Sequence, residues 1–199
     1  MKKIFLTLFL LLTVMSAGAG CRFSAGIFES HYVYGTVSPV KNLKFKLEHS
    51  LYTEKMGWQR ITAGASYGTP FLTPGLRWEA GVQGGTTWNR NYQVVWGYGK
   101  LAYDHSIWGI EATVQPHYDS ELHYKTCWQA GGHISINKSI AVVAGYTTIP
   151  EYRMSEKRVR GGFEFKTGKL SVRPELSFSV DGGDSSKNMR VLMSMNYDF

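Results

Sequence analysis

The chain has 199 residues, 43% of them hydrophobic and 19% charged, with 22 glycines, 6 prolines and a formal charge of +7. A mean hydropathy of -0.21, and no run of ~18 apolar residues after the N-terminal segment, exclude a bundle of membrane-spanning helices. The basic excess gathers on no single stretch, which speaks against a nucleic-acid partner, and 14% aromatic residues among many glycines suit short strands and turns.

In chain order, Lys2 and Lys3 precede an apolar run from Ile4 to Val14, and Ala17-Gly18-Ala19 supplies small residues for cleavage. Residues 1–19 therefore read as a signal peptide. The apolar run is well short of the ~20 residues a spanning helix needs. Without Lys2 and Lys3, 20 basic residues stand against 15 acidic ones, a formal +5. Cys21 raises the alternative of a lipoprotein acylated there, but Gly18 stands where such sites carry an aliphatic residue. A Cys21–Cys127 disulfide is permitted by an oxidising envelope and required by no spacing. The two cysteines and the histidines have no metal-ligand spacing, so neither metal nor cofactor is expected.

Residues 20–42 are an N-terminal segment of uncertain role. Phe23, Ala25 and Ile27 begin one alternation, whereas Phe28, Tyr32 and Tyr34 suggest another, and Pro39 favours a turn. The segment is either an incomplete crossing or two strands.

From residue 43 to 199 the pattern repeats in segments near 43–52, 58–67, 76–86, 92–103, 107–118, 126–136, 139–147, 158–167, 169–180 and 190–199. Each has about the length that a tilted strand needs to cross a bilayer. Apolar residues recur at every second position, as in Leu43, Phe45, Leu47 and Leu51, in Ile110, Ala112 and Val114, or in Leu170, Val172, Leu176 and Phe178. The expectation is an all-β, antiparallel transmembrane β-barrel of about ten strands, with twelve or eight as alternatives. Pro116 and Pro174 must then occupy bulges or strand ends.

The connections alternate too. Those at 104–106, 137–139 and 167–169 are tight, while those at 119–125, 148–157 and 181–188 are longer and more polar, matching short periplasmic turns and longer outer loops. Trp58, Trp88, Trp108, Trp128, Tyr92, Tyr103, Tyr118 and Tyr197 fall near segment ends, where an aromatic girdle is expected. Trp88 alone would sit in an outer loop. Tyr152, Arg153, Glu156, Lys157 and Arg158 form a charged outer-loop stretch able to meet lipopolysaccharide phosphates.

The last segment sets Val191, Met193, Met195, Tyr197 and Phe199 on one face and ends on Phe199. It resembles the terminal assembly strand of bacterial outer-membrane β-barrel proteins of the small porin-like class. The resemblance implies an outer-membrane location, a lipid bilayer with lipopolysaccharide around the chain, and the barrel-assembly machinery as a partner; the chain is expected to be a monomer.

Residues between the lipid-facing positions point inward: Lys44, Glu48, Arg60, Arg77, Glu79, Glu111, His117, His133, Arg158, Arg160, Glu164, Arg173 and Glu175. Lys46, Gln115, Gln129 and Lys166 share that parity. A ring of eight to ten strands has little room beyond its own side chains, so the expected function is envelope structure or surface interaction by a barrel with a charged, occluded lumen. The alternative is a narrow channel or solute-binding barrel that prefers a small anionic solute. A further reading takes His133 and Ser135 from their likeness to the His-x-Ser element of outer-membrane lipid A deacylases, but by parity the pair faces the lumen beside an inner turn. No other nucleophile or phosphate-loop motif is present, and no enzyme is expected.

Overall fold

A strand with one lipid-facing and one water-facing side has no stable place in a membrane unless its backbone N–H and C=O groups all find partners, which demands a ring without edges. The computed structural model describes residues 22–28, 32–50, 59–71, 73–121, 123–149, 157–180 and 189–199, and it has that ring. Twelve strands run in chain order: β1 (Arg22–Phe28), β2 (Tyr32–Val40), β3 (Leu43–Ser50), β4 (Arg60–Pro70), β5 (Leu76–Thr87), β6 (Gln93–Asp104), β7 (Trp108–Asp119), β8 (His123–Ser135), β9 (Ile140–Thr147), β10 (Arg158–Thr167), β11 (Leu170–Ser179) and β12 (Met189–Asp198). Neighbours pair antiparallel all the way round, and β1 closes on β12 through Ala25 opposite Tyr197 and Ile27 opposite Met195.

The ten-strand expectation is therefore corrected to twelve. Residues 22–28 and 32–40 are two strands, β1 and β2, joined edge to edge with the rest. Their clashing alternations have a simple cause: Ala25, Ile27 and Val33 belong to the outer face, while Tyr32 and Tyr34 are large residues on the inner one. Pro39 does not make the turn. It lies inside β2, where the pairing with β3 shifts between Val37 and Val40, and the reversal comes at Lys41-Asn42 with Asn42 at φ 73.

Burial is inside-out. Ile110, Val114, Phe163, Leu176 and Val191 are exposed, whereas the intervening Gln115, His117, Glu175 and Ser177 are buried. The exterior is an apolar band fitted to hydrocarbon. Tyr67 against Trp78 (ring centroids 5.9 Å) and Tyr103 against Trp108 (5.5 Å) stand on the outer face near strand ends, and Trp88 is exposed in the β5–β6 connection; Trp128, packed on Tyr146 (5.0 Å), lies instead in the middle of β8 opposite Val114, away from the expected girdle. Tyr92 departs from the expected girdle. It is only 1% exposed and shares the inward parity of Val94 and Trp96.

Short connections pin the register. Asn137 Oδ1 accepts from the Ser139 and Ile140 amides (2.8 and 2.9 Å), and Gly168 takes φ 57 in the two-residue turn after β10, a conformation that costs glycine nothing. Pro116 and Pro174 sit where the ladder lapses, between Trp96/His117 and Gly99/Val114 in one case and between Gly162/Glu175 and Phe165/Val172 in the other. Their missing N–H groups explain those sites. The leader, Cys21, Leu51, Trp58 and residues 150–156 and 181–188 lie outside the described residues.

Candidate lumenal site

Strand number decides what the inner face can be. With strands ~4.8 Å apart and tilted by about 40°, a circular ring of eight has a backbone radius of about 8 Å and a ring of twelve about 12 Å. The wider ring leaves room past its own side chains.

All thirteen of the charged and histidine residues assigned inward occupy inward-facing register positions, and most meet an opposite charge on the same strand or a nearby one. Lys44 pairs with Glu79 (3.0 Å), Lys100 with Glu111 (2.5 Å), Lys166 with Glu164 (3.1 Å), Arg173 with Glu175 (2.9 Å) and Arg77 with Asp104 (2.9 Å). Glu48 holds both Lys46 (2.6 Å) and Arg60 (3.5 Å). Arg158, nearly fully buried, donates from Nε to Ser177 Oγ (2.7 Å) and from Nη2 to the Ser177 carbonyl (3.0 Å). Lys46–Glu48, Lys166–Glu164 and Arg173–Glu175 are two residues apart on one strand, whereas Lys100–Glu111, Arg77–Asp104, Lys44–Glu79 and Arg60–Glu48 meet across strands because the register makes them do so, and for these the sequence alone names the charges but not their partners.

Several lumenal residues escaped the reading of the sequence. Trp96, Tyr98, Lys100 and Asp104 of β6 all point inward, as do Tyr32 and Tyr34 of β2 and Asp119 of β7. Tyr98 donates to Glu79 (2.7 Å) and Tyr34 to Asn196 (2.7 Å). In β6 the aromatic residues Trp96 and Tyr98 share the inner face with Lys100, while Gly97 and Gly99 lie outside between Val95 and Leu101. Lys100 was the available signal: its parity fixes that of Trp96 and Tyr98.

Along its axis the lumen divides in two. At the end with short turns, a cavity of about 1000 Å³ is lined by Tyr34, Thr36, Lys44, Glu79, Lys100 and Asp198, among others. A second, of about 470 Å³, is lined by Glu111, Gln129, His133, Arg160, Lys166 and Arg173, and the two meet at Arg77 and Ala102. At the end with long connections the inner face is instead packed. Every strand from β2 to β12 carries a buried inward side chain there, including Tyr32, Arg60, Thr87, Asp119, Cys127, Thr147, Arg158, Ser177 and Leu192. The centre of this packing is a stack in which the Arg60 guanidinium lies 4.9 Å from the Tyr32 ring and 5.7 Å from the Trp96 ring, and Trp96 in turn stacks on His117 (5.9 Å, 19° between planes). His117 Nε2 meets Asp119 Oδ2 at 3.0 Å. Burial, then the nearby Asp119 carboxylate, push the Tyr92 hydroxyl well above the ordinary tyrosine range, so it remains a donor.

No family model matches the chain, and no curated protein matches its sequence. Solved structures do match. The KdgM porin, solved in complex with disordered oligogalacturonate, is similar over 90% of this chain and 98% of its own, with a TM-score of 0.67 at 9% identity. The NanC porin matches over the same shares with a TM-score of 0.55 at 12% identity. The fold is that of the small outer-membrane porins. At such identities the likeness concerns the barrel alone, and it is a likeness to channels rather than to enzymes.

His133 and Ser135 line the smaller cavity, and Ile134 occupies the lipid face between them. A hydroxyl and imidazole placed there meet lumenal water, not acyl chains. Among the described residues no group of His, Cys, Asp or Glu has the arrangement of a metal site.

Proposed function

We propose that this chain resides in the bacterial outer membrane as a monomeric porin-like barrel and that its lumen passes or holds small anionic solutes. The observation that carries this reading is the open, charged half of the lumen: joined cavities of about 1000 and 470 Å³ whose walls present Arg77, Lys100, Arg160, Lys166 and Arg173. Guanidinium groups in a ring offer fork-shaped donors suited to carboxylates, and Arg173 has a buried Nε that makes no hydrogen bond. The ligand in the KdgM porin, an oligogalacturonate, is itself an acidic chain. The apolar band would contact lipid and lipopolysaccharide, and Val191, Met193, Met195, Tyr197 and Phe199 would present the closing strand to the assembly machinery.

The packed half of the lumen favours a second reading, in which the barrel is closed throughout and serves envelope structure or surface contact. Planar-bilayer recordings in a salt gradient separate the two. The channel reading expects discrete conductance with a reversal potential favouring chloride, moved toward cations by Arg77→Glu, Arg160→Glu and Arg173→Glu combined. Conductance whose selectivity ignores the triple reversal overturns the anion path, and silence in every variant leaves the closed barrel.

A further inference from the structure

We propose that the Tyr32, Arg60, Trp96 and His117 stack is a gate: a bar of side chains that closes the lumen toward the long connections while the cavities behind it stay open toward the short turns. The inference rests on the channel reading above. Its first support is radial position. Tyr32 on β2 and Arg60 on β4 stand two strands apart, as do Arg60 and Trp96 on β6, so at the wall they are separated by about 10 Å. The 4.9 and 5.7 Å ring-to-guanidinium distances therefore mean that these side chains lean toward one another over the inner faces of β3 and β5.

The second support is that the bar is braced at its arginine and at its histidine end by groups the ion pairs of the open half do not use. Glu48, itself held by Lys46, faces Arg60, and Asp119 faces His117 while its other oxygen accepts from the Glu121 amide at 2.8 Å in the connection after β7. The third is the burial pattern: inward residues at this level are shielded on every strand from β2 to β12, whereas Lys44, Arg77 and Lys166 at the other end are largely exposed to the cavity. A cation held between two rings, with no covalent tie across the bar, can rearrange on the microsecond-to-millisecond scale of other lumenal and lid motions. Such a closure admits solute intermittently instead of sealing the barrel for good.

The test uses the full chain in planar bilayers. Trp96→Ala removes the central layer and is expected to raise single-channel conductance, or open time, several-fold, with Tyr32→Ala doing the same from the other end. Trp96→Phe should restore closure, and Trp128→Ala, on the lipid face, should change nothing. An independent readout is Cys127, fully buried on the inner face at this level: in a Cys21→Ser background a membrane-impermeant maleimide should modify it several-fold faster when Trp96 is Ala. Heat-modifiable gel mobility identifies folded barrels in each sample. Folded Trp96→Ala and Tyr32→Ala barrels with wild-type conductance and wild-type Cys127 reactivity overturn the gate. If wild type already conducts with chloride preference and those variants match it, the gate falls and the channel stands; if opened variants show no anion preference, the gate stands and the anion path falls.

Discussion

The inside-out assignment is most sharply tested by moving one arginine along the outer face of β7. Val114 is 52% exposed and lies six residues from Trp108, where β7 begins. At ~3.3 Å per residue that is about 20 Å of strand, and with a tilt of 40–45° about 15 Å of depth, half of a hydrocarbon band of about 25–30 Å. Val114 is therefore at the midplane, and Tyr118, four residues on, is near the loop-side interface. Val114→Arg should cost about 2–4 kcal/mol and Tyr118→Arg about 0–1 kcal/mol, so the folding equilibrium should fall roughly thirtyfold to seven-hundredfold at the first site and barely at the second. Urea titrations of folding into lipid vesicles, followed by tryptophan fluorescence and gel mobility, measure both. Equal costs at the two positions, or a cost at Val114 under about 1 kcal/mol, would refute the placement of the odd-even face in lipid.

Glu48→Ala should destabilise the barrel by about 2–3 kcal/mol, because it removes the carboxylate that faces the Arg60 side chain (8% exposed) and Lys46 (33% exposed). Lys44→Ala, at an exposed pair, should cost under about 1 kcal/mol in the same urea assay. At Gly162 an added Cβ would run into the Pro174 carbonyl, whereas at Gly161 the nearest atom is 3.9 Å away, so Gly162→Ala should lose about 1–3 kcal/mol and Gly161→Ala almost nothing. Similar folded yields for both glycine variants would contradict the β10–β11 register. Cys127, as the only thiol in a Cys21→Ser chain, should resist a hydrophilic maleimide in folded barrels and react promptly in urea; equal rates would place it off the inner wall.

Much of the inner face was legible because side-chain parity survives the inversion of solvent. Arg173 and Glu175 had to share a face opposite Val172 and Leu176 whichever face met lipid, and a C-terminal strand with five apolar odd positions decided which. Aromatic residues broke the reading. A tryptophan suits a headgroup belt and a lumenal stack equally well, so the side of Trp96 could be read only through Lys100 and not from its own ring, and Tyr92 was assigned to the wrong face. The overlapping alternations of residues 22–40 likewise hid two strands behind one ambiguous segment.

By itself the sequence determined the antiparallel barrel class, the inward parity of its charges and the alternation of short and long connections, since each is a consequence of period two repeated along a chain. Closure decided the rest. Whether β1 found β12 set the number of strands, the number set the radius, and the radius set whether side chains reach one another across the axis or leave a cavity. The partners of Glu48 and Arg60, and the meeting of Tyr32 with Trp96 over an intervening arginine, exist only because residues far apart in sequence share one level of a curved wall.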